Sequence, residues 1–490
     1  MNLSDALSTA RNSLSNSALN SATISRNISG ANEAGYARRT AVVGLVDDAG
    51  AMHAQIVRAA NEGLQRVWLQ SSSDKVRAST IEAGLNQIGR TMGTDLSGSP
   101  AELLSHFKSA LKAYAASPAE PSHAYASFKS ATDLTRGLNE AANAVQTVRA
   151  QADSGIQVSV ANLNATLEKL AGLNAEIGRA GSNDQRMPDL IDQRDRLVAE
   201  ITEDIGIRVI QRPDNSVFIY ADNGAVLLDR EPREITFTGT FAFTANIQGE
   251  PIYFDGADST TQGSAMTLKS GRLAGLIELR DRTTVKYQSQ LDEIARGLIN
   301  NFAETDQQAT SGATARPGLF VATGFVDAPL PPSATGLASS IAVNAAADPD
   351  LAGNPVGIRD GGLAEPGSQR FVYNKSQVPD YSERINHLLS TFESSYSLRS
   401  AAGLGAALSV DQLAANSTGW LQEERQSAQQ IAYDRSVMAA TASDALQKNI
   451  GVDMDDQLER MLNIQHSYQA SARMLSIIDE LLSDLMRTLG

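Results

Sequence analysis

The chain contains no cysteine, which excludes disulfide bonds, thiol nucleophiles and thiolate metal ligands together. Aromatic residues are also scarce: they make up 5% of the 490 residues, whereas 42% are hydrophobic. This composition predicts several domains whose helices pack through alanine, leucine, valine and isoleucine. No run of about 18 apolar residues occurs, so the sequence predicts no membrane-spanning helix.

Positive charge is in short supply as well. The chain has 41 lysines and arginines against 56 aspartates and glutamates, and its formal net charge is -15 at pH 7. A strongly acidic chain is repelled by nucleic-acid phosphates and by anionic lipid headgroups. We therefore expect neither a nucleic-acid partner nor insertion into a membrane.

Patterns that carry catalysis or cofactor binding are missing. The segment from Asp348 begins like a calcium-binding loop, but Ala352 stands at a ligand position and Arg359 replaces the closing glutamate. The glycine pair Gly403 and Gly405 follows no predicted strand, so it makes no dinucleotide fingerprint. The five histidines lack metal-ligand spacing, and the sequence has no P-loop and no Gly-x-Ser-x-Gly motif. We expect a non-enzymatic protein without metal or cofactor.

What the sequence does contain is an amphipathic helix at each end, over residues 1 to 28 and 454 to 489. In both segments apolar residues recur every three or four positions, and the second stripe is bulkier, as in a coiled coil. An isolated helix with one apolar face is marginal in water, so these faces need a partner. The residues expected in this assembly interface are Leu3, Leu7, Leu14, Ile24, Ile28, Leu458, Leu462, Leu475, Ile478, Leu482 and Leu485.

Periodicity alone leaves two arrangements of the terminal helices open. They can form an ordinary antiparallel pair at the edge of a globular core, or they can pack against other subunits of an assembly. The sequence between them favours the assembly.

A glycine-containing motif follows the first helix and reads Asn27-Ile28-Ser29-Gly30-Ala31-Asn32-Glu33-Ala34-Gly35-Tyr36. Gly30 is expected to supply a left-handed helix cap, and Gly35 a second backbone reversal. The run resembles the Asn-Ile-Ser-Asn-x-Asn-x-x-Gly-Tyr signature of the bacterial flagellar axial proteins, the family of rod, hook and hook-associated proteins. Gly30 departs from that signature, because Asn is usual there.

A second motif, Met187-Pro188-Asp189-Leu190-Ile191-Asp192-Gln193-Arg194-Asp195, starts a helix in the middle of the chain. Pro188 fits the first helical position, and Asp192 is predicted to form a surface ion pair with Arg196. The motif resembles a Leu-Leu-Asp-Gln-Arg-Asp stretch of the hook-associated proteins. A helix start accounts for all the residues of this motif. The motif therefore helps to identify the family and does not indicate any chemistry. The residues that carry the two resemblances are Asn27, Ile28, Ser29, Asn32, Gly35, Tyr36, Leu190, Asp192, Gln193, Arg194 and Asp195.

Further segments at 271–276, 341–350 and 451–458 resemble the same family in the same order. The resemblance therefore covers nearly the whole chain and is weakest at about 205–265 and 320–340.

Between its ends the chain changes from helical spacing to short strands and back again. Helices are expected at 53–92, 100–116, 122–179, from Pro188 onward, and at 273–302, 381–397 and 418–449. Strands are expected at 207–210, 217–220, 225–228, 235–238, 241–243 and 252–254. Residues 311–370, which are rich in Gly, Pro and Ala, are expected to form an irregular surface connection.

The predicted fold class is α+β, mainly α, with an elongated shape, a long helical bundle or coiled-coil core built from both termini, and a small inserted β domain. Residues 1–44 and 452–490 form the expected terminal coiled-coil domain. Residues 45–204 and 265–451 form a long-helix domain, and residues 205–264 form the β domain.

The resemblance implies a structural junction protein that connects the flagellar hook to the filament. Its implied partners are the hook protein, the second hook-associated protein (FlgL), other copies of the chain, and the export chaperone FlgN on the C-terminal helix. The start of the chain has neither a charged n-region nor an apolar h-region. We therefore expect export to the cell exterior through the flagellar type III apparatus, without a cleaved signal peptide.

Three other interpretations stay open. The chain could be another axial protein, such as a rod, hook or second hook-associated protein, although the second motif favours a junction protein. A type III secreted effector should lack the Gly35-Tyr36 signature. An enzyme domain hidden at 205–265 is disfavoured, because that stretch has no histidine and no nucleophile motif.

Overall fold

The computed structural model describes residues 3–33, 35–45, 52–93, 95–180, 184, 186–260, 267–309 and 315–489. Within these ranges the fold is mainly helical with small antiparallel sheets, which confirms the predicted fold class. No helix in the described ranges combines the length and the apolar character that crossing a membrane requires. The boundaries of the three expected domains stay predictions.

Helices make up most of the described chain, and a π-helical stretch, Leu279–Thr283, joins the sixth to the seventh. In chain order they are α1 (Leu3–Gly30), α2 (Glu62–Gly89), α3 (Pro100–Ala116), α4 (Pro121–Arg179), α5 (Met187–Asp204), α6 (Gly271–Glu278), α7 (Thr284–Asn301), α8 (Leu337–Ser340), α9 (Gly357–Asp360), α10 (Glu383–Thr391), α11 (Val410–Ile450) and α12 (Met454–Leu489).

The strands form two-stranded and three-stranded antiparallel sheets. The pairs are β1 (Arg39–Leu45) with β2 (Met52–Arg58), β9 (Glu304–Thr305) with β10 (Ala315–Arg316), β11 (Phe320–Ala322) with β12 (Ile341–Val343), and β13 (Tyr396–Ser397) with β14 (Ala407–Leu408). One three-stranded sheet contains β3 (Ile207–Gln211), β4 (Val217–Ala221) and β5 (Val226–Leu228), and the other contains β6 (Ile235–Phe237), β7 (Ile252–Phe254) and β8 (Ala257–Asp258).

The longest element is α4, whose 59 residues span about 88 Å at the rise of an α-helix. It is continuous, which confirms the helix predicted at 122–179. Leu138 and Val145 in its first half belong to the larger hydrophobic core, whereas Leu163 and Leu167 in its second half belong to a smaller core shared with the three-stranded sheets. One helix therefore connects the two cores.

Helix α11 runs antiparallel along α2, because Asn449 lies beside Asn61 at one end and Arg425 beside Asn86 at the other. The side chains buried on α11 from residue 428 onward are almost all alanines, and such small side chains let two helix axes approach closely. This alanine seam consists of Ala428, Ala432, Ala439 and Ala442, followed by Leu446.

Four of the twelve phenylalanines form a cluster at one point of the larger core. Phe107, Phe302, Phe320 and Phe392 are fully buried there, with ring centroids 5.1 to 6.1 Å apart. Composition alone predicted cores of aliphatic side chains and did not reveal this cluster.

The helix expected from residue 53 is wrong over its first residues. Residues 52–58 form β2, which pairs with β1 so that Arg39 lies opposite Arg58. The spacing of apolar residues around Ile56 fits a helix, but a β-branched stretch at 39–45 provides a strand partner, and pairing outweighs the local pattern. The helix begins only at Glu62, after the side chain of Asn61 caps it.

The strand expected at 241–243 is also wrong, because these residues lie in a loop between β6 and β7. The buried side chain of Arg149 donates hydrogen bonds to the carbonyl oxygens of Thr244 (2.9 Å) and Ile247 (2.6 Å), and its guanidinium lies 4.7 Å from the ring centroid of Phe243. The loop's backbone is thus satisfied by a side chain instead of a neighbouring strand. The other predicted strands between 207 and 254 are found.

The segment 315–370 is irregular, as predicted, but it is not a surface connection. Phe320, Leu337 and Ile341 are buried in the larger core, so the segment covers one side of that core. Its Gly, Pro and Ala content prevents long elements without preventing burial. Residues 311–314 lie outside the described residues.

Two helix boundaries also differ from the prediction. Helix α11 begins at Val410 instead of 418, because Ser409 and Gln412 form a reciprocal capping box. Helix α10 ends at Thr391 instead of 397, and the chain soon enters strand β13.

Candidate assembly interface

The terminal helices α1 and α12 pack against each other in antiparallel orientation. The hydroxyl oxygens of Ser13 and Ser471 are 2.8 Å apart, and near the other end of α1 the side-chain amide of Asn27 donates to Oε1 of Gln457 (2.8 Å). Hydrogen bonds require a particular alignment, so these contacts set the register of the pair. The prediction of a helix at each end is confirmed.

On α1, the residues predicted for the interface face α12 only in part. Ile24 is 5% exposed, whereas Leu7, Leu14 and Ile28 are half-buried. The backbone of Leu3 is helical, and its side chain lies outside the described residues. The apolar face of α1 is therefore incompletely covered.

On α12, part of the predicted set lies on the side that meets α1. Ile478 is buried seven positions after the buried Ser471, and Leu475 and Leu482, also seven positions apart, are half-buried, so these residues follow the alternating spacing of a heptad repeat. The side chain of Leu485 lies outside the described residues.

The remaining two predicted residues of α12 lie off the seam. Leu458 and Leu462 are 51% and 58% exposed, because the side facing α1 carries Gln457 and Met461 instead. The apolar stripe predicted from the sequence of α12 therefore combined residues from two different faces of the helix. The large exposed apolar side chains of α12 are Met454, Leu458, Leu462, Tyr468, Met474, Ile477, Leu481 and Met486. So many in one element are typical of a surface that binds another protein.

The two sequence motifs meet in one buried polar cluster. It links α1, the β1–β2 hairpin and α5, and it joins residues as far apart in sequence as Arg39 and Asp192, 153 positions. We call this cluster the joint; its members are Asn27, Tyr36, Arg39, Arg58, Asp192, Arg194 and Asp195.

Asn27 holds the chain on the α1 side of the joint. Its Nδ2 donates to the carbonyl oxygen of Arg39 (2.8 Å), and its Oδ1 accepts from the backbone N–H of Arg39 (2.9 Å) and from the hydroxyl of Tyr36 (3.0 Å). Through its bond to Gln457 it also connects α12 to the start of the hairpin. This one amide therefore ties three segments together.

Arg39 carries the connection to α5. Its Nη2 lies 2.7 Å from Oδ2 of Asp192 and 2.6 Å from Oδ1 of Asp189, and its guanidinium lies 4.7 Å from the ring centroid of Tyr36. Burial opposes its charge, but the hydrogen bonds to Asp192 and Asp189 outweigh burial, so the pKa of Arg39 is raised. Burial also raises the pKa of Tyr36, which keeps its hydroxyl a donor.

Arg58, directly opposite Arg39 in the hairpin, makes the second connection. Its Nε donates to Oδ1 of Asp192 (2.6 Å), and its Nη2 donates to Oδ2 of Asp195 (2.7 Å). Arg194 also binds Asp195 and donates to the carbonyl oxygen of Asn215 (2.7 Å), in the turn between β3 and β4. The polar path thus runs from α12 to the first three-stranded sheet.

The predicted surface ion pair between Asp192 and Arg196 is wrong. Asp192 is 3% exposed, and its carboxylate is occupied by Arg39 and Arg58. The side chain of Arg196 packs at Gly35 instead, where a Cβ atom would lie 2.8 Å from its Cγ.

The glycines of the first motif have roles that differ in part from the prediction. Gly35 has φ +80°, which confirms a backbone reversal there. Gly30 ends α1 without a positive φ, so the predicted left-handed cap is wrong. A Cβ atom at Gly30 would lie 2.6 Å from the ring of Tyr36, so this position needs glycine for space.

The other motif residues lie around the joint without belonging to it. Leu190 is buried in a small apolar cluster with Ile177 and Met187. Ser29, Asn32 and Gln193 are exposed, and Ile28 is half-buried. The role of all these residues in assembly stays a prediction.

Sequence reasoning missed Arg39 and Arg58 as members of the site. Arg39 closely follows the first motif and received no role, while Arg58 was hidden by the expected helix. The available signal was a pair of seven-residue stretches, 39–45 and 52–58, separated by a turn-forming Asp-Asp-Ala-Gly sequence. Within the described ranges no group of three histidines or acidic residues could hold a metal ion, and the acidic residues of the joint face arginines.

Two family models match the chain. The helical domain of flagellar hook-associated protein FlgK matches residues 85–318, and the C-terminal region of the flagellar basal body rod proteins FlgEFG matches residues 448–488. Together these matches cover more than half of the chain. The first contains α4, α5 and the second motif, and the second coincides with α12.

Individual proteins are similar to the chain at lower identity. Flagellar hook-associated protein 1 of Salmonella typhimurium is 24% identical over 296 residues, which are 57% of this chain and 52% of that protein. The chain thus spans about half the length of this relative. Flagellar hook-associated protein 1 of Bacillus subtilis is 21% identical over 523 residues, or 99% of this chain and 98% of that protein.

A solved structure, that of the flagellar hook junction protein FlgK from Burkholderia pseudomallei, aligns with a TM-score of 0.41 and 21% identity, over 52% of this chain and 46% of that chain. The order of the sequence motifs, the two family models and the named relatives agree. The chain belongs to the FlgK family of flagellar hook-associated proteins.

Proposed function

We propose that the chain is a structural, non-enzymatic adaptor that joins the flagellar hook to the filament. The observation that carries this proposal is the row of exposed apolar side chains that α12 keeps after it has packed on α1, among them Leu458 and Leu462. A lone soluble protein gains nothing from this surface, whereas a subunit of a tube needs contacts beyond its own chain.

The proposed mechanism is heterologous packing, in which a surface of one copy meets a different surface of its neighbour. Each leucine or isoleucine that becomes buried in such a contact contributes about 1.5 to 3 kcal/mol. The joint supports this mechanism, because its directional bonds hold the terminal helices at one orientation to the rest of the chain.

The proposed partners are the hook protein on one side, the second hook-associated protein FlgL on the other, and further copies of this chain. Before export, the exposed side chains of α12 need protection from aggregation, and FlgN is the proposed chaperone that covers them. Export through the flagellar type III apparatus without a cleaved signal peptide then places the protein outside the cell.

A second candidate is another axial component, such as a rod or hook protein. It is favoured by the match of residues 448–488 to the rod-protein C-terminal model. The match of residues 85–318 to the FlgK helical domain argues for the junction instead.

Deleting the gene in its own bacterium tests the proposal. The expected result is cells with bare hooks under the electron microscope and flagellin lost to the medium, with filaments restored when the chain is re-expressed. Cells that keep normal filaments would refute a junction role, and cells without hooks would favour the rod or hook alternative. Hooks isolated from a strain without FlgL should still carry the chain, which separates it from the second hook-associated protein.

A further inference from the structure

We propose that the exposed methionines of α12 are a modification site for peroxides, and that their oxidation blocks assembly. The residues are Met454, Met474 and Met486. Oxidation converts each apolar thioether to a polar sulfoxide. This inference rests on the proposed function, because it takes the exposed apolar side chains of α12 as the surface through which the chain assembles.

Sulfur atoms are concentrated in α12. Because the sequence has no cysteine, methionine supplies all the sulfur, and four of the ten methionines lie within the 36 residues of this helix. A methionine that serves only its own fold fills gaps in the apolar interior. In α12, by contrast, Met454, Met474 and Met486 are 41%, 50% and 72% exposed. These three sulfur atoms are therefore open to small oxidants in solvent.

Burial should sort the described methionines by their rate of oxidation. Met92 and Met187 are buried in apolar clusters, which exclude a peroxide molecule while the chain is folded. The fourth methionine of α12, Met461, is half-buried, and its sulfur accepts a hydrogen bond from the hydroxyl of Ser21 (3.7 Å) across the α1–α12 pair. We expect fast oxidation of the three exposed residues of α12, slower oxidation of Met461, and none of Met92 and Met187.

Each oxidation in the first or second half of α12 would alter an apolar group that extends beyond one side chain. The exposed Met454 precedes the exposed Leu458 by one helical turn, and Met474 stands in the same relation to Ile477. Side chains three or four positions apart lie next to each other on a helix. A sulfoxide thus places a polar oxygen beside a side chain that assembly is proposed to bury, and burying an oxygen without a hydrogen-bond donor is unfavourable.

The reaction with hydrogen peroxide requires no catalytic group. A lone pair of the sulfur attacks one peroxide oxygen, and the S–O bond forms as the O–O bond breaks. The hydrogen on the transferred oxygen passes to the departing hydroxide, which leaves as water. The sulfur loses two electrons and the peroxide gains them. Methionine sulfoxide reductases reverse the change, so the modification is repairable.

Met438 on α11 is a matched control for this chemistry. Its exposure, 53%, is close to that of Met474, but it lies outside the terminal helices. Its sulfur accepts from Nη1 of Arg435 at 3.8 Å. Oxidation of Met438 adds the same oxygen atom at a place that the proposed assembly interface does not include. We therefore expect it to leave assembly unchanged.

Peroxide treatment of the purified full-length chain tests the inference. The treated chain is freed of oxidant and added to hooks isolated from the deletion strain. Hook-bound chain is measured by immunoblotting, and sulfoxides are located by mass spectrometry of peptides. We expect sulfoxide at Met454, Met474 and Met486 and a fall in hook binding of about tenfold or more, because apolar side chains at the contact have become polar. Sulfoxide reductases should restore binding, and the circular dichroism spectrum should not change.

Variants separate the methionines of the two helices. The triple variant Met454→Leu, Met474→Leu and Met486→Leu removes the three exposed sulfur atoms, so peroxide should leave its hook binding at that variant's own untreated level. Met438→Leu should lose as much binding on treatment as the parent does. Met474→Gln imitates the polar sulfoxide without any oxidant and should bind hooks less well than Met438→Gln. This last comparison decides the matter if the triple variant does not fold.

Three results would overturn the inference alone. They are equal hook binding by the treated and the untreated parent, a triple variant that loses binding on treatment as the parent does, and sulfoxide at Met92 as abundant as at Met474. An untreated parent that does not bind hooks would refute the proposed function and, with it, this inference.

Discussion

At the scale of single residues, Asp192 holds together parts of the chain that are far apart in sequence. Its side chain is 5% exposed and faces the guanidinium groups of Arg39 and Arg58. Asp192→Ala leaves both arginines short of a buried counter-charge, which costs about 3 to 5 kcal/mol. Urea unfolding followed by circular dichroism measures the loss.

Asp189→Ala is the matched control, because Asp189 also binds Arg39 but its side chain is 54% exposed. We expect a loss within about 1 kcal/mol. Equal losses from the two variants would contradict the role assigned to Asp192.

Gly35 gives a second prediction at this scale. Gly35→Ala places a side chain at φ +80° and brings its Cβ atom to 2.8 Å from Arg196. We expect it to lower the free energy of unfolding by about 1 to 3 kcal/mol. Gly172→Ala, inside α4 with open space around it, should instead raise stability by about 1 kcal/mol. Destabilisation by both variants would show that general loss of glycine, and not the backbone at Gly35, is responsible.

The sequence related Asn27, Tyr36, Asp192 and Asp195 to one family but did not place them in contact. Local spacing rules pair Asp192 with Arg196, four positions away, because such rules see only neighbours on one helix. In the fold, the partners of Asp192 are arginines of β1 and β2, more than a hundred residues earlier in the chain. Contacts of this kind depend on tertiary packing, which residue spacing does not encode.

At the scale of elements, we expect the two faces of α12 to have separable roles. Leu482→Asp places a charge on the side that meets α1, and we expect it to loosen the α1–α12 pair and block incorporation into hooks without unfolding the middle of the chain. Incorporation is measured by immunoblotting of isolated hooks, and the fold of the middle by limited proteolysis. Incorporation equal to that of the parent would contradict this expectation.

Leu458→Asp tests the other face of α12, since Leu458 is 51% exposed in the monomer. We expect an unchanged monomer, judged by circular dichroism, and reduced incorporation, because a charge replaces a side chain worth about 1.5 to 3 kcal/mol when buried in the assembly. Gln465→Asp, at an exposed polar position, is the control and should incorporate normally. Normal incorporation of Leu458→Asp would mean that this face stays in solvent.

Long helices were predictable, and short or paired elements were less so. The helices at 100–116 and 122–179 follow from an unbroken apolar spacing bounded by proline. The paired strands at 39–45 and 52–58 and the buried segment at 315–370 depend on partners elsewhere in the chain, which no local window contains. The sequence prediction combined two faces of α12 for the same reason. Periodicity identifies an apolar stripe but does not indicate which side of the helix each neighbouring element contacts.

At the scale of the whole molecule, stability should be distributed unevenly in the free monomer. Nearly every residue of α7 is buried, whereas most described residues of α12 are exposed. We expect amides at 1–28 and 454–489 to exchange with deuterium faster than those of α7 and the first half of α4. Mass spectrometry of peptides from the exchanged protein measures this, and equal protection would favour a closed globular protein.

The overall class was predictable because helical spacing, the strand-rich stretch and the terminal stripes survive as averages over many residues. The division of the hydrophobic interior was not, since Leu138 and Leu167 lie on one continuous helix yet belong to different cores. Which half of a helix serves which core follows from the three-dimensional arrangement of the elements around it.

The proposed junction role gives the joint a mechanical consequence. In the proposed junction, torque on the terminal helices would reach the first three-stranded sheet along the path from Gln457 through Arg39 and Asp192 to Asn215, which consists of hydrogen bonds and ion pairs. Directional bonds resist shear, whereas apolar side chains slide past one another at little cost. We therefore expect the torsional stiffness of each subunit to depend on these few polar side chains. Mechanical failure under load should begin at them.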